Sequence, residues 1–381
     1  MRTGTSQPLR IALAYAAVGS GHRLVAESVQ TAISVASPVA ETALFDCLSR
    51  GPASAWGSSA ALTYTGAAGA LYDAVWGSKL AGAVGRPLAS AIGSAVLSQF
   101  IAELRAFEPD VVVATHALPA LLAVRNRRAG RLKARTIASV VTDWQVHAYW
   151  PRHGVDMMCV PSEAAALTFG TGEPRPTVTG IPVREQFLAP PSKPVARASL
   201  DIGSDSRVVL VLAGSKQAAP YAALRRSLAL ALPEIAKQAD EIILLAGDDE
   251  YAFEMSRALA GAGGSRLRVL RYVEDVAVLM AAADLGIIKP GGVASAECVA
   301  CGLPTVVVGP AFGQERANAR VLAGAGASAY VERPDVLAEC VGRLLADTPV
   351  LERMREACCD LRRPDAATRV AELVLGCATG S

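Results

Sequence analysis

The sequence contains no long apolar segment, although apolar residues are abundant in it. Hydrophobic residues make up 52% of its 381 positions, and the mean hydropathy is +0.33. No run nevertheless reaches the roughly 18 apolar residues of a membrane-spanning helix. The first apolar stretch, Ile11 to Val18, is only eight residues long, which is too short to span a bilayer or to direct export. We therefore expect a cytoplasmic protein whose only route to a membrane is peripheral contact with its inner face.

Histidine is scarce, and cysteine occurs without a pairing pattern. The chain has four histidines and eight scattered cysteines, which fits a reducing compartment. Cys298 and Cys301 have metal-like spacing, but no second pair of comparable spacing follows, and we interpret them as small buried hydrophobes. No Asp-x-Asp motif occurs in a loop suited to a metal-bound ligand. We expect no metal and no other cofactor.

Charge is low and nearly balanced. The formal net charge is +2, so nucleic acid is not implied, and attraction to an anionic partner must come from local clusters. One such cluster, which we call the basic segment, carries no acidic residue and consists of Arg125, Arg127, Arg128, Arg131, Lys133 and Arg135. It is either a solvated loop or a contact with anionic lipid headgroups, worth about 1 kcal/mol per cation.

The stretch from Gly51 to Ala102 is also poor in charge. Its only charged residues are Asp73, Lys79 and Arg86, and aromatic residues are spread through glycine, alanine and serine. Two interpretations are open. The stretch forms buried helices of the first domain, or it is a loosely ordered flap that touches acyl chains.

Short apolar runs that end at glycine or polar residues alternate with helical patterns along the chain. The first run leads through Gly19 and Gly21 into a helix, and such runs are typical of parallel strands buried on both faces. Prolines between Pro182 and Pro194 indicate a linker, beyond which the pattern restarts. We therefore predict an α/β fold of two Rossmann-like domains that face each other across a cleft. The N-terminal domain covers residues 1–187, the C-terminal domain covers 188–361, and a C-terminal helix over 362–381 returns to the first domain.

The most informative local pattern is the run of thirty residues from Lys289 to Asn318. Its Gly291-Gly292 pair follows a predicted strand and opens a helix, so that backbone N–H groups and the helix dipole can bind phosphate. Glu297 lies about one and a half turns into this helix, where a carboxylate can accept hydrogen bonds from ribose hydroxyls. The Gln314-Glu315 pair, in the loop after the next strand, offers donors and acceptors for further hydroxyls.

This run resembles the donor-binding signature of the processive diacylglycerol glucosyltransferases and monogalactosyldiacylglycerol synthases, which are related to the peptidoglycan GlcNAc transferase of glycosyltransferase family 28. The resemblance covers nearly the whole chain, and its blocks occur in the same order. The other blocks are Gly19 to His22, Val141 to His147, Thr179 to Phe187 and Tyr272 to Asp284. The resemblance implies the GT-B fold and inverting sugar transfer.

The resemblance also implies a role for each residue of the donor side and of the acceptor side. On the donor side, Glu297 binds ribose, Gly291 and Gly292 hold the diphosphate, Gln314 and Glu315 contact the sugar, and the backbone near Val273 receives uracil. On the acceptor side, the implied residues are Gly19, Gly21, His147 and Trp150. For His147, a purely structural role is an equal alternative.

His22 becomes the candidate general base, because a histidine has a pKa near the working pH. Its place at a helix N-terminus disfavours the protonated form. A role that only orients the acceptor or phosphate is the alternative. Asp143 orients His22 or is itself the base, whereas His116 and His153 lack comparable context and are interpreted as structural or surface residues.

Two positions depart from the family pattern. Ala294 stands where relatives usually place threonine after the glycine pair, which removes one hydroxyl contact to phosphate and leaves Ser295 as the neighbouring hydroxyl. The first strand of the second domain is followed by Gly214-Ser215 and then by Lys216 instead of a glycine-rich turn. Lys216 is either a cation for the leaving diphosphate or a surface residue.

The sequence therefore predicts that a UDP-sugar bound by the second domain gives its hexose to a lipid hydroxyl held by the first, at a membrane surface. Diacylglycerol is the favoured acceptor, with a polyprenyl or secondary-metabolite acceptor as the alternative. Glucose, galactose and GlcNAc are not distinguished. Two other classes stay open, a UDP-sugar 2-epimerase and an inactive UDP-sugar sensor, although the first-domain blocks oppose the epimerase and the retained site residues oppose the sensor.

Overall fold

The structure is a computed structural model that describes residues 8–17, 20–49, 85, 87, 97–169, 173–214, 222–248, 250, 253–254, 266–309 and 311–379. Within these residues lie two parallel sheets of six strands each. The first sheet consists of β1 (Arg10–Tyr15), β2 (Glu41–Asp46), β3 (Val111–Ala114), β4 (Thr136–Val140), β5 (Met157–Val160) and β6 (Thr177–Val178). The second consists of β7 (Val208–Leu212), β8 (Glu241–Leu245), β9 (Arg266–Leu270), β10 (Leu285–Ile288), β11 (Thr305–Val308) and β12 (Ser328–Val331).

Helices connect the parallel strands, as crossover connections require. In the first half of the chain they are α1 (Gly21–Ala36), α2 (Ser98–Ala106), α3 (Ala117–Arg128), α4 (Glu163–Phe169) and α5 (Lys193–Ser199). In the second half they are α6 (Ala222–Ile235), α7 (Val276–Ala282), α8 (Gly292–Ala300), α9 (Gly313–Gly324), α10 (Leu337–Ala346), α11 (Thr348–Leu361) and α12 (Ala366–Thr379). Short 3₁₀ turns cover Glu185–Phe187 and Pro334–Val336.

The strand order of each sheet contains one reversal. The first sheet runs β2-β1-β3-β4-β5-β6, and the second runs β12-β11-β10-β7-β8-β9. The reversal falls between β1 and β3 in the first sheet and between β7 and β10 in the second. Ligands of open α/β sheets bind beyond the carboxyl ends of the strands at such a switch point. The predicted α/β fold of two Rossmann-like domains is confirmed.

The inner strands are apolar runs because both of their faces are covered. Every residue of β3, β5 and β10 is buried. One cluster of buried side chains is continuous between the two sheets, since it contains Ile11 and Val25 of the first domain together with Val208 and Val293 of the second. The two halves of the molecule therefore share part of their hydrophobic core.

The end of the chain packs against the first sheet. Helix α12 contacts α1, β3 and β4. Its start meets the segment after β6 at Gly180, whose φ is +92°. A Cβ on Gly180 would lie 3.1 Å from Ala366 Cβ in α12 and 2.5 Å from Cβ of Arg363, which precedes the helix. Glycine is therefore required at this crossing by both its backbone conformation and the lack of space.

Several predicted features fall outside the described residues. These are Gly19, Ser215, Lys216 and most of the stretch from Gly51 to Ala102. Among the helices that the structure does describe, none combines the length and the apolar character needed to cross a bilayer.

Candidate active site at the switch points of the two sheets

His22 occupies the switch point of the first sheet. It is the second residue of α1, which follows β1, and its neighbour Thr115 follows β3. The His22 Nδ1 lies 3.0 Å from the Thr115 carbonyl oxygen and 3.0 Å from Thr142 Oγ1, while Thr115 Oγ1 donates to the His22 carbonyl at 2.8 Å. A carbonyl oxygen can only accept, so Nδ1 carries the proton. The lone pair of the neutral ring is consequently on Nε2, the tautomer that a general base needs.

The imidazole of His22 is neutral at neutral pH. Burial lowers its pKa to about 4, the Thr115 carbonyl opposes this shift, and the positive charge of Lys289 lowers the pKa further. From the sequence, the helix N-terminus is predicted to disfavour the protonated form of His22. Burial is the larger cause, because the ring lies where the two domains meet.

Two further histidines surround His22, and sequence reasoning missed one of them. The ring of His116 lies edge-on to that of His22 with centroids 4.7 Å apart, and its Nδ1 accepts the Leu118 N–H at 3.1 Å, which caps α3. Burial, then His22 and His147, lower the pKa of His116. His116 directly follows Thr115 at the switch point, but its position became recognisable only once the strand order was known.

The two residues predicted for the acceptor side differ in their surroundings: His147 lies near His22, whereas Trp150 lies in the core of the first domain. Burial, followed by His22, lowers the pKa of His147 to about 3, and its Nδ1 accepts the Tyr149 N–H at 3.2 Å. Trp150 is only 1% exposed and packs in the core of the first domain, so it does not line an open cleft. Within the described part of the chain, no group of three or more His, Cys, Asp or Glu side chains is arranged to hold a metal ion.

Asp143 is held by the second domain. Asn318 Nδ2 donates to Asp143 Oδ1 at 2.8 Å, and the orienting contacts of His22 come from Thr115 and Thr142 instead. Burial raises the pKa of Asp143 to about 6, the Glu315 carboxylate raises it too, and the Asn318 hydrogen bond and Lys289 oppose the shift. The described hydrogen bond of Asp143 therefore crosses to the second domain, and its predicted role in orienting His22 or acting as the base stays a prediction.

The loop after β4 and the glycine pair of the second domain touch. A Cβ on Gly292 would lie 2.0 Å from the Thr142 carbonyl oxygen, and one on Gly21 would lie 3.1 Å from Val293 Cγ2. Gly214, at the end of β7, is equally constrained, since its Cβ would lie 1.8 Å from the Ala246 carbonyl oxygen. These glycines allow backbone segments to approach more closely than any side chain would permit.

Trp144 connects the same loop to the second domain. Its Nε1 donates to Ser295 Oγ at 2.8 Å, and its backbone N–H donates to Asn318 Oδ1 at 2.8 Å. Ser295 Oγ in turn lies 2.7 Å and 2.9 Å from the carbonyl oxygens of Gly291 and Gly292. The hydroxyl expected to substitute for the family threonine is thus engaged by the first domain and by its own helix.

Glu297 is buried and paired. Its side chain is 7% exposed, and Arg184 Nε donates to its Oε1 at 2.8 Å. Burial raises the pKa of Glu297, and Arg184 opposes the shift. Arg184 belongs to the block from Thr179 to Phe187, and the family resemblance implies no role for it. The structure makes it the counter-ion of the carboxylate that is predicted to bind ribose.

The remaining donor-side residues lie at the carboxyl edge of the second sheet. Glu315, in the first turn of α9, forms an ion pair with Lys289, which directly follows β10. Near Val273, Gln186 donates to the Glu274 carbonyl at 2.9 Å and accepts the Ala277 N–H at 3.0 Å. The segment near Val273, which is predicted to receive uracil, is therefore held by hydrogen bonds to the linker between the domains.

The basic segment lies at the opposite edge of the first sheet. Helix α3 starts beside His22, and its last turn carries Arg125, Arg127 and Arg128 roughly 18 Å away. The chain then enters β4 at its amino end. Arg127 is paired with Asp156 (Nη2–Oδ1 3.2 Å), and Arg135 lies 3.3 Å from Asp110. Because ligands reach the carboxyl edge, the basic segment does not face the cleft.

Most of each half of the chain matches a known family. Residues 22–183 match the family "Monogalactosyldiacylglycerol (MGDG) synthase", and residues 208–370 match the "Glycosyltransferase family 28 C-terminal domain". The processive diacylglycerol beta-glucosyltransferase of Bacillus subtilis is 29% identical over 272 residues, which are 70% of this chain and 69% of that protein. The predicted resemblance is thereby confirmed.

Solved structures agree on the fold. MurG of Acinetobacter baumannii superposes with a TM-score of 0.62 at 15% identity, over 97% of this chain and 99% of its own. A putative UDP-N-acetylglucosamine 2-epimerase of Listeria monocytogenes gives 0.64 at 12% identity, over 99% and 98%. The fold is therefore shared by transferases and an epimerase, and it does not choose between them.

The fold and the two domain matches define a GT-B glycosyltransferase. It is a hexosyltransferase whose first domain matches the MGDG synthase family and whose second domain matches the C-terminal domain of glycosyltransferase family 28.

Proposed function

We propose that this enzyme transfers a hexose from a UDP-sugar to the hydroxyl of a diacylglycerol-type lipid at a membrane surface, with inversion at the anomeric carbon. The names of the Bacillus relative and of the MGDG synthase family support a glycerolipid acceptor. The glycine pair at the start of α8 supports a diphosphate-bearing donor.

The observation that carries the proposal is the state of His22. Its ring is neutral, its Nδ1 proton is directed to the Thr115 carbonyl, and it lies at a switch point that opens toward the Gly291-Gly292 loop. An inverting transfer needs one base on the acceptor side and one anion-binding loop on the donor side. Those two elements are on opposite domains and adjacent in space.

The mechanism follows from this arrangement. The acceptor hydroxyl attacks the anomeric carbon while Nε2 of His22 takes its proton. The bond from the anomeric carbon to the β-phosphate oxygen breaks, and its electron pair leaves with UDP. Glu297 binds the ribose, and Gln314 and Glu315 contact the sugar. Contacts of Trp144 and Asn318 across the cleft limit entry of water, which would otherwise hydrolyse the donor.

The lipid reaches His22 from the carboxyl edge of the first sheet in this proposal. The basic segment lies at the other edge, so any attraction between it and anionic headgroups would not by itself deliver the acceptor to the base.

The test is UDP release by the purified protein with UDP-glucose, UDP-galactose or UDP-GlcNAc, each with and without diacylglycerol in anionic vesicles. His22→Ala is the test variant. His153→Ala, which alters an exposed histidine, is its matched control. We expect release that requires lipid, that is lost in His22→Ala and that persists in His153→Ala. The anomeric coupling in the proton NMR spectrum of the glycolipid should show inversion.

Other outcomes point to other functions. Conversion of UDP-GlcNAc without any acceptor would favour an epimerase. Donor binding without turnover on any lipid would favour a sensor or an acceptor outside the glycerolipids. Release that survives in His22→Ala would remove the assigned base.

A further inference from the structure

Lys289 lies at the switch point of the second sheet. It directly follows Ile288, the last residue of β10, and its side chain is 19% exposed. A Cβ built on Gly291 would be 3.3 Å from Lys289 Nζ. The ammonium group is therefore above the turn that opens α8, where the diphosphate is proposed to bind.

The charge of Lys289 acts on polar groups of both domains. It lowers the pKa of His22 and opposes the raised pKa of Asp143, two residues of the first domain. Its direct partner is the carboxylate of Glu315, whose side chain is 13% exposed at the start of α9. Lys289 is thus a cation between the candidate base, the candidate phosphate loop and a residue predicted to contact the sugar.

We propose that Lys289 binds the diphosphate of the donor and stabilises the departing UDP, and that Glu315 is the counter-ion which the donor displaces. This inference rests on the proposed sugar transfer. As the anomeric carbon–oxygen bond breaks, the electron pair stays on the β-phosphate oxygen, and the ammonium of Lys289 neutralises the charge that develops there. The acceptor oxygen bonds to the anomeric carbon, and its proton goes to His22.

The exchange of partners has a physical basis on both sides. A phosphate group offers Lys289 more negative charge than one carboxylate does, and charge-assisted hydrogen bonds to phosphate are strong. Glu315 loses its cation but stays in the first turn of α9, where the helix dipole stabilises a negative charge. Its released oxygens then accept hydrogen bonds from sugar hydroxyls. By binding Lys289, the donor would thus release Glu315 to contact the sugar.

The test is calorimetric binding of UDP, UMP and uridine to the wild type, Lys289→Gln, Lys289→Arg and Glu315→Gln. We expect Lys289→Gln to weaken UDP about 10- to 100-fold, because a hydrogen bond to a charged group is lost. Uridine should bind unchanged, and Lys289→Arg should restore most of the UDP affinity. Glu315→Gln should tighten UDP, because the competing carboxylate is gone, and should still slow sugar transfer.

The matched control is Lys193→Gln. Lys193 also loses an ion pair, with Asp284, but this pair lies at the amino end of the same strand, β10. It should change stability without changing the ratio of UDP to uridine affinity. Thermal unfolding of every variant separates loss of fold from loss of binding.

The outcomes separate this inference from the proposed function. Equal binding of UDP by Lys289→Gln and wild type would overturn the role of Lys289 while leaving sugar transfer intact. Weakened UDP in Glu315→Gln, parallel to Lys289→Gln, would show a purely structural ion pair and also overturn it. A wild type that binds no UDP would contradict the proposed donor itself.

Discussion

The two domains present different side chains at equivalent places in their sheets. The first sheet places His22, Thr115 and His116 at its switch point, and burial keeps these histidines neutral. The second sheet places the ion pair of Lys289 and Glu315 at its own. A histidine takes a proton from a hydroxyl only when its ring is uncharged, whereas a nucleoside diphosphate is bound by positive charge. The difference supports the proposal that the first domain carries the chemical step and the second binds the donor.

The largest expected effect separates the two domains directly. His22→Ala should lower kcat about 10²- to 10⁴-fold, the usual contribution of a general base, and should leave the KM for the UDP-sugar nearly unchanged. Steady-state kinetics of UDP release will measure both values. His153→Ala should match the wild type. A comparable rise in donor KM would show that the histidine acts on the donor side. It would contradict the proposed division of the chemical step and donor binding between the two domains.

The next effect should have the opposite kinetic signature. Glu297→Gln should raise the donor KM about 10- to 100-fold, since a charged acceptor for ribose is lost, with a smaller change in kcat. Glu241→Gln is a close control, because Glu241 pairs with Arg268 at similar burial (6% and 22% exposed against 7% and 22% for Glu297 and Arg184) at the amino end of β8. If both variants behave alike, Glu297 is only a buried ion-pair partner.

A third change tests whether the two sites must touch. Gly292→Ala would place a Cβ 2.0 Å from the Thr142 carbonyl oxygen, so backbone must move and the domains must separate. We expect a cost of about 1–3 kcal/mol, seen as a loss of kcat/KM and of UDP affinity with the fold retained, because the same residue is predicted to hold the diphosphate. Gly324→Ala, where the new Cβ meets nothing within 4 Å, is the control. Full activity of Gly292→Ala would mean that this contact is absent during turnover.

The neutral histidines also make a prediction about pH and stability. The pKa of His22 falls from 6.5 to about 4 on folding, so the unfolded chain binds more protons than the folded chain between these values. The contribution of neutral His22 to the free energy of unfolding is therefore fully present above pH 6.5, and it is lost as the pH falls toward 4. His22→Gln should shrink the stability difference between pH 7 and pH 5 by about 1–2 kcal/mol in urea titrations. His153→Gln should leave that difference unaltered. The same slope in His22→Gln as in wild type would refute the depressed pKa.

The elements of the fold were predictable because their signals are local. Apolar runs such as Val111–Ala114 and Leu285–Ile288 encode buried parallel strands, and the Gly291-Gly292 pair encodes the start of α8. The order of strands is not local, since it depends on which run pairs with which. For that reason the sequence does not reveal the place of His116, although this residue lies only two positions after the end of β3.

Contacts between segments that are distant in the sequence limit how much of the candidate site can be predicted from it. Asn318 forms hydrogen bonds with Asp143 and Trp144, which lie more than 170 positions away in the sequence. Trp144 donates a further hydrogen bond to Ser295, which is 151 positions away. No spacing rule predicts such pairs. The family resemblance places Trp150 on the acceptor side, whereas the structure buries it in the core of the first domain.

The smallest expected effect concerns the hydrogen bond between Trp144 of the first domain and Ser295 of the second. Trp144→Phe keeps the aromatic ring but removes the Nε1–H that Ser295 accepts at 2.8 Å, which should cost about 1 kcal/mol of domain closure. Small-angle scattering with and without UDP should then show a more open average shape in the absence of ligand, and the difference should diminish at saturation. Trp150→Phe is the control, because that indole is buried within one domain and its loss should lower stability without opening the cleft. If Trp144→Phe is as closed as the wild type, the hydrophobic cluster shared by the two domains is sufficient to hold them together, and the polar contacts only set the alignment of His22 with the donor loop.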